Sequence, residues 1–248
     1  QQLNSSFNRM VSQLQQADAD RNLMLAGISH DLRTPLARMR LEVEMSPMTA
    51  EQRQAIDADL SQIDRTIGQL LQYARPGNEP PDRAINLLDI ITDVVRHTQA
   101  SSTKPNQIDL VAKKSAACRI DADDFRRCLA NLIENAQRYG VAPDGHYTIT
   151  VKLQSHGERI YVDVCDQGPG IAQDDIERVL RPFSRGETAR TGSAGAGLGL
   201  SIVQRLLARA DGNLALMAAQ PAGLIARMDL PRARARGKAQ TQKGGLNS

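Results

Sequence analysis

The sequence predicts a chain of class α + α/β: a two-helix hairpin that pairs with a second copy into an antiparallel four-helix bundle, followed by an α/β sandwich domain. Three observations point there. The first 74 residues repeat apolar side chains at three- and four-residue spacings, a Pro/Gly-rich stretch at 75–81 breaks the pattern, and helical and strand-like runs alternate after it. Aromatic residues make up only 3% and Trp is absent, so the cores must be built from Leu, Ile, Val, Met and Ala. That palette suits helix pairs and argues against an all-β sandwich.

In the first helix Leu3, Phe7, Met10 and Leu14 stand four, three and four apart, one narrow buried seam. The spacing restarts at Leu25, Ile28, Leu32 and Met39, so the interruption at 17–21 predicts a joint between two helical units. Ser46-Pro47 stops this helix, because proline disfavours helical geometry in the residue before it. Thr49 and Gln52 form a capping box that opens a second helix, whose Ile56, Leu60, Ile63, Ile67, Leu70 and Ala74 again repeat at four and three. A hairpin with one seam per helix is too thin to bury itself, so dimerisation is expected. Packing of the seams against the following domain is the alternative.

Beyond the linker, residues 86–99 read as a helix, and 108–112 and 117–120 as short strands. Residues 121–139 read as a helix with Phe125, Leu129, Leu132 and Ala136 as its core stripe. Residues 147–153 and 159–165 alternate as strands around a turn at 155–157. A Gly-rich stretch at 168–197 precedes a helix at 198–210, and strands at 213–218 and 223–230 close the domain. The pattern is that of helices laid over one face of a mixed sheet. The expected divisions are 1–19, 20–75, a linker at 76–82, 83–231 and a tail at 232–248.

The net charge of +3 comes from the tail, where Arg232, Arg234, Arg236, Lys238 and Lys243 meet no acid. The rest carries 26 basic against 28 acidic residues, so charge gives no reason to expect nucleic acid, and the tail reads as a solvated, disordered end. Cys118, Cys128 and Cys165 are never spaced C-x-x-C, which suggests neither a disulfide framework nor a zinc site and fits a reducing compartment. No apolar run approaches the roughly 18 residues of a membrane span, and since the chain opens on Gln1, an upstream part is expected.

Several residues carry chemistry. His30 lies two positions from both Ile28 and Leu32, about 200° of helix rotation from each seam residue, and so is expected to face solvent. Its imidazole, near an ordinary pKa of about 6.5, is partly neutral at pH 7 and able to attack phosphorus. Pro35 costs an otherwise regular helix about 3 kcal/mol, which hints at function nearby. Thr34 stacks one turn beyond His30 on the same face. In the helix at 121–139, Asn131, Asn135 and Arg138 form one polar stripe able to offer oxygen to a metal and positive charge to phosphates, unless it is an ordinary polar flank. Strand parity places Asp166 inward with Val162 and Val164, where it can accept from an adenine amino group or simply start an Asx turn. Glycines 192–199 lead into a helix without the strand of a dinucleotide fingerprint or the Gly-Lys-Ser/Thr of a P-loop.

In order and spacing, these strings closely resemble the sensor histidine kinases of two-component systems, over about residues 1–231. HDLRTPL at 30–36 is similar to the family's H box, NLIENAQRY at 131–139 to its N box and DQGPG at 166–170 to its G1 box. RPFSRG at 181–186 resembles the F box and GAGLGLSIV at 195–203 the G2 box. The resemblance implies a GHKL, or Bergerat-type, ATP-binding sandwich and a HAMP relay end at 1–19. It implies that His30 accepts the phosphoryl group, that Asp31 is its acid/base neighbour and that Thr34 positions water for phosphatase activity. Asn135 would ligate magnesium, with Asn131 and Arg138 near the phosphates of ATP and Tyr139 near the adenine. Asp166 would read the adenine, with Gly168 and Gly170 shaping its turn. Arg185 and Arg190 would reach phosphates from a lid, and Gly195, Gly197, Leu198 and Gly199 would approach them through the backbone. Ala196 departs from the family, which often has Thr there.

The resemblance further implies ATP and Mg2+ as cofactors, a homodimer, and a response regulator receiver domain of OmpR-like type as partner. It implies no nucleic acid, and the cytoplasmic portion of a bacterial inner-membrane protein, joined to the membrane through N-terminal segments. Related fold members that hydrolyse ATP carry Glu where Asn131 stands, and an amide cannot serve as general base toward water. That favours a kinase over an ATPase or chaperone of the same fold. A docking scaffold would show a damaged H or N box, and both are intact.

Overall fold

In a computed structural model, residues 2–74, 81–101, 107–112, 114–140, 148–184 and 197–233 are described. The side chains of residues 2–5, 8, 11, 14, 15, 17–19, 21, 22, 25, 26, 29, 30, 72, 74 and 101 lie outside the description. The expected tail beyond residue 233, most of the linker and Arg185, Arg190, Gly195 and Ala196 also fall outside it, whereas Arg232 and Ala233, assigned to that tail, donate their N–H groups to Glu158 O and Ala117 O at 2.8 Å.

Helix α1 (Gln2–Met45) is continuous through 17–21, so the expected joint is absent from the backbone. The interruption there concerns the apolar seam only: the segment holds no Gly or Pro, and Gln16 Nε2 donates to Asp20 Oδ1 across one turn at 2.9 Å. Pro35 lies inside the helix, which ends at Met45 just before Ser46-Pro47. Helix α2 (Ala50–Ala74) opens on the expected capping box: Thr49 N donates to Gln52 Oε1 at 3.1 Å and Gln52 N to Thr49 Oγ1 at 3.2 Å. Arg33 to Asp64 (3.4 Å) and Arg40 to Asp57 (3.8 Å) fix the antiparallel register of the pair. These pairs are solvated and add little stability. Leu60 and Ile67 are buried between the helices, while Ile28, Leu32, Met39 and Ile63 remain 42–49% exposed.

The second domain is one sheet with helices on one face. Strands β1 (Ile85–Asn86) and β3 (Ala117–Cys118) form a small antiparallel pair beside it, flanking helix α3 (Leu87–Ser101). Strand β2 (Gln107–Ala112) lies parallel to β4 (Thr148–His156), which pairs antiparallel with β5 (Arg159–Cys165). Strands β6 (Asn213–Ala218) and β7 (Leu224–Pro231) complete the order β2-β4-β5-β7-β6. Helix α4 (Ala122–Tyr139) is capped by Asp121, whose Oδ1 accepts from Asp123 N and Asp124 N at 3.0 and 3.1 Å. It packs against α6 (Gly199–Arg209), and both close one core with Phe125, Leu129, Val162 and Ile202 fully buried.

Three sequence-based boundaries shift. Strand β4 runs on to His156, so the turn is at Gly157-Glu158, where Gly157 takes φ of +57°. The strand expected at 117–120 is only two residues long. The Gly-rich stretch contains a 3-10 turn (Gln173–Asp175) and the short helix α5 (Ile176–Leu180). At five residues α5 is too short to leave a readable period. Among the described residues, no helix is long and apolar enough to cross a membrane.

Candidate functional site

A cavity of about 320 Å³ opens between α4, the end of β5, the start of α6 and β7. Its floor is apolar, made by Leu132, Ala136, Val164, Leu224 and Ala226, with a few polar groups at the walls. Seven expected residues line it: Asn135, Arg138, Tyr139, Asp166, Gly170, Gly197 and Gly199.

Asp166 sits where β5 leaves the sheet, and it is only 8% exposed. Its N–H donates to Leu224 O at 3.0 Å, and its Oδ1 accepts from Leu224 N at 3.1 Å and Gly168 N at 3.0 Å. The Asx-turn reading is therefore correct, and it does not exclude the other: both side-chain bonds fall on Oδ1, and Oδ2 takes neither. Burial raises the Asp166 pKa above the ordinary carboxylate value, and the two N–H donors offset only part of that.

Glycines let the backbone crowd around this carboxylate. A Cβ at Gly168 would collide with Tyr139 O and stand 2.8 Å from Gly140 Cα, and one at Gly140 would stand 2.5 Å from Asp166 Cβ. A Cβ at Gly223, which takes φ of +116°, would collide with the carbonyl oxygen of Asp166. Gly140, Gly223 and Gln69 are site residues that sequence reasoning did not single out. Gly140 carried a weak signal as the residue after a helix; Gly223 and Gln69 carried none.

At the other end, Asn135 and Asn131 back the first residue of α6. A Cβ on Gly199 would meet Asn131 Oδ1 at 3.2 Å and Asn135 Nδ2 and Oδ1 at 3.5 and 3.6 Å. Asn131 does not line the cavity: it is 7% exposed and its Nδ2 donates to Arg127 O at 2.8 Å, so it stands behind Gly199. Arg138 lines the cavity while paired with Glu134 at 2.7 Å, and Tyr139 is 43% exposed at the rim. Leu198 is fully buried and occupies the N-cap position of α6 without a side-chain cap. Gly197 takes φ of +70°, a conformation suited to glycine.

An oxygen-seeking cation such as magnesium fits this wall modestly. Asn135 offers a neutral carbonyl oxygen, and among the described residues no group of three His, Cys, Asp or Glu could hold a metal alone. Such an ion would rest mainly on phosphate oxygens. The cysteines are free, with burial pushing the Cys118 thiol up to about 11 and Cys128 also upward, so neither is a nucleophile at neutral pH. On the hairpin, His30 lies within α1, its expected solvent-facing side chain lies outside the described atoms, and Asp31 and Thr34 are exposed.

Two family models match the chain. Residues 20–79 match the His Kinase A (phospho-acceptor) domain, and residues 120–234 match the histidine kinase-, DNA gyrase B- and HSP90-like ATPase domain. The sensor protein RstB of Escherichia coli is 34% identical over 223 residues, which is 86% of this chain and 49% of RstB. The chain spans about half the length of the curated relatives it matches. Among solved structures, full-length ShkA in complex with AMPPNP is 26% identical with a TM-score of 0.63, covering 86% of this chain and 46% of that one. The histidine kinase domain of the E. coli osmosensor EnvZ is 31% identical, covering 68% of this chain and 100% of that one, with a TM-score of 0.46.

Proposed function

Because the chain belongs to the sensor histidine kinase family, joining its phospho-acceptor and ATPase domains, we propose that it moves the γ-phosphoryl group of magnesium-ATP onto His30 and then to an aspartate of a response regulator. The observation that carries this reading is the cavity itself, which gathers Asn135, Asp166, Gly170, Gly197 and Gly199 from separate segments around an apolar slot of nucleotide-base size.

In the proposed first step a ring nitrogen of His30 attacks the γ-phosphorus. The bond from that phosphorus to the bridging oxygen breaks, ADP leaves with the electron pair, and the imidazole proton passes to the carboxylate of Asp31. In the second step a carboxylate oxygen of the regulator attacks the same phosphorus, the P–N bond breaks with its electron pair going to the ring nitrogen, and the proton held by Asp31 returns to the ring to restore neutral imidazole. Asp166 orients the base, and the N-terminal end of α6, which no side chain of its own caps, meets the phosphates. Asn135 would hold magnesium, which when bound would neutralise part of the phosphate charge. Thr34 is the candidate for positioning water in dephosphorylation of the regulator, whose receiver domain is proposed to be OmpR-like.

Asn131 weighs against the ATPase alternative, because an amide tied to Arg127 O cannot activate water. The exposed Ile28, Leu32, Met39 and Ile63 support a second copy covering the hairpin. The relatives' description as sensor proteins supports placement in the cytoplasmic portion of an inner-membrane sensor. Incubation with magnesium and γ-labelled ATP tests the reading: an acid-labile, base-stable label is expected and should vanish in His30→Gln with nucleotide affinity intact. Undiminished labelling of that variant would overturn it.

A further inference from the structure

The hairpin supplies part of the wall of the cleft. Gln69, on α2, lines the same cavity as Ser184, Gly197 and Arg138. Tyr73 follows it by four residues, on the same helical face, and packs against the second domain from both sides. Its ring meets Phe183 edge-on, with centroids 6.2 Å apart, and the Arg205 guanidinium lies over it at 5.0 Å from the centroid. Phe183 is itself fixed to the cleft. It holds φ of +60°, unusual for a bulky residue, and its N–H donates to Gly197 O at 3.0 Å. The chain thus connects Tyr73 to the glycine at the mouth of α6 through one ring contact and one hydrogen bond.

We propose that Gln69 is a nucleotide-contacting residue delivered by the hairpin, and that the Tyr73–Phe183–Arg205 stack holds it there. The inference rests on the reading of the cavity as the ATP site and adds to it a residue from the other domain. On the proposed reading, phosphates would lie at the side of the cleft where Gly197 and Gly199 open α6, and the useful part of Gln69 there is its amide N–H. The register set by Arg33 with Asp64 and Arg40 with Asp57, carried on toward the start of the pairing, brings the backbone of His30 level with the turn of α2 that holds Gln69. A phosphate bound by Gln69 is therefore held at the height of the acceptor histidine.

The test measures affinity for a non-hydrolysable ATP analogue by calorimetry on the full chain, in a two-by-two set of Gln69→Glu and Tyr73→Ala. Glu keeps helix propensity and length but sets a like charge beside the phosphates. Gln69→Glu alone should raise Kd about fivefold, the effect of one like charge near 4 Å in a solvated cleft. In the Tyr73→Ala background, where α2 is released, the same exchange should change Kd by less than about twofold. Unchanged affinity in Gln69→Glu would overturn the proposal, and so would equal losses in both backgrounds. A parent chain that binds no analogue would overturn the functional reading itself, and this inference with it.

Discussion

Replacing Asp166 separates its structural duty from its recognition duty. Both backbone donors, Gly168 N and Leu224 N, bond to Oδ1 alone. Asp166→Asn keeps an Oδ1 and presents an NH2 at the other position, so both bonds survive and the penalty of burying a charge disappears. Its stability should stay within about 1 kcal/mol of the parent. Asp166→Ala strands two donors next to a crowded backbone, and at about 1–3 kcal/mol for each stranded group it should lose about 2–6 kcal/mol. For nucleotide the order reverses in part. An NH2 facing the amino group of adenine is a donor against a donor, so Asn should lose preference for ATP over GTP even though the protein is intact. Urea unfolding gives the first comparison, and calorimetric titration with both nucleotides the second. If Asn destabilises the chain as much as Ala does, or keeps full preference for ATP, the division of labour between Oδ1 and Oδ2 is wrong.

Four further outcomes are expected. As pH falls, Asp166 protonates before an ordinary carboxylate would, because burial raises its pKa; nucleotide affinity should fall through that raised pKa, a step absent in Asp166→Asn. The folded chain also holds this proton more tightly than the unfolded chain, so over the window from the ordinary to the raised pKa its contribution to stability declines as pH rises, which pH-dependent urea midpoints will register. Asn135→Ala removes a neutral oxygen from the cleft wall and should weaken binding by abolishing its dependence on magnesium, read by titration with and without the metal. Thr34→Ala should keep self-labelling and lose dephosphorylation of the purified phosphorylated regulator, while Thr34→Ser keeps both; equal phosphatase rates in all three proteins would remove Thr34 from the chemistry.

What could be read from the sequence was local. The Thr49–Gln52 box and the stop at Ser46-Pro47 depend on residues within one turn of each other, and each stands where the spacing put it. The seam interruption at 17–21 was legible too but reported the wrong quantity: loss of apolar period says that a helix changes what it packs against, whereas only a breaker would end its hydrogen bonding. Parity alone put Asp166 on the inner face of β5, and helical spacing alone put Asn135 near Arg138.

The remaining features of the site arise from strand order, which no local pattern encodes. Because β7 pairs with β5, with Cys165 opposite Ile225, the turn entering β7 must pass beside the residue that leaves β5. Leu224 then bonds Asp166 directly, and at position 223 just before it a Cβ would run into the Asp166 carbonyl, so only a residue without Cβ and tolerant of positive φ can stand there. The same reasoning applies to Gln69. Its period marks it as a polar neighbour of a hairpin seam, and nothing on its own helix distinguishes it from Gln62. It becomes a wall of the cleft because Tyr73, one turn away, finds an aromatic edge and a guanidinium on the second domain. A residue acquires that role from the docking of one domain on another, so the search for further site residues in this chain belongs on the faces of α2 and α6 that meet, rather than in its sequence motifs.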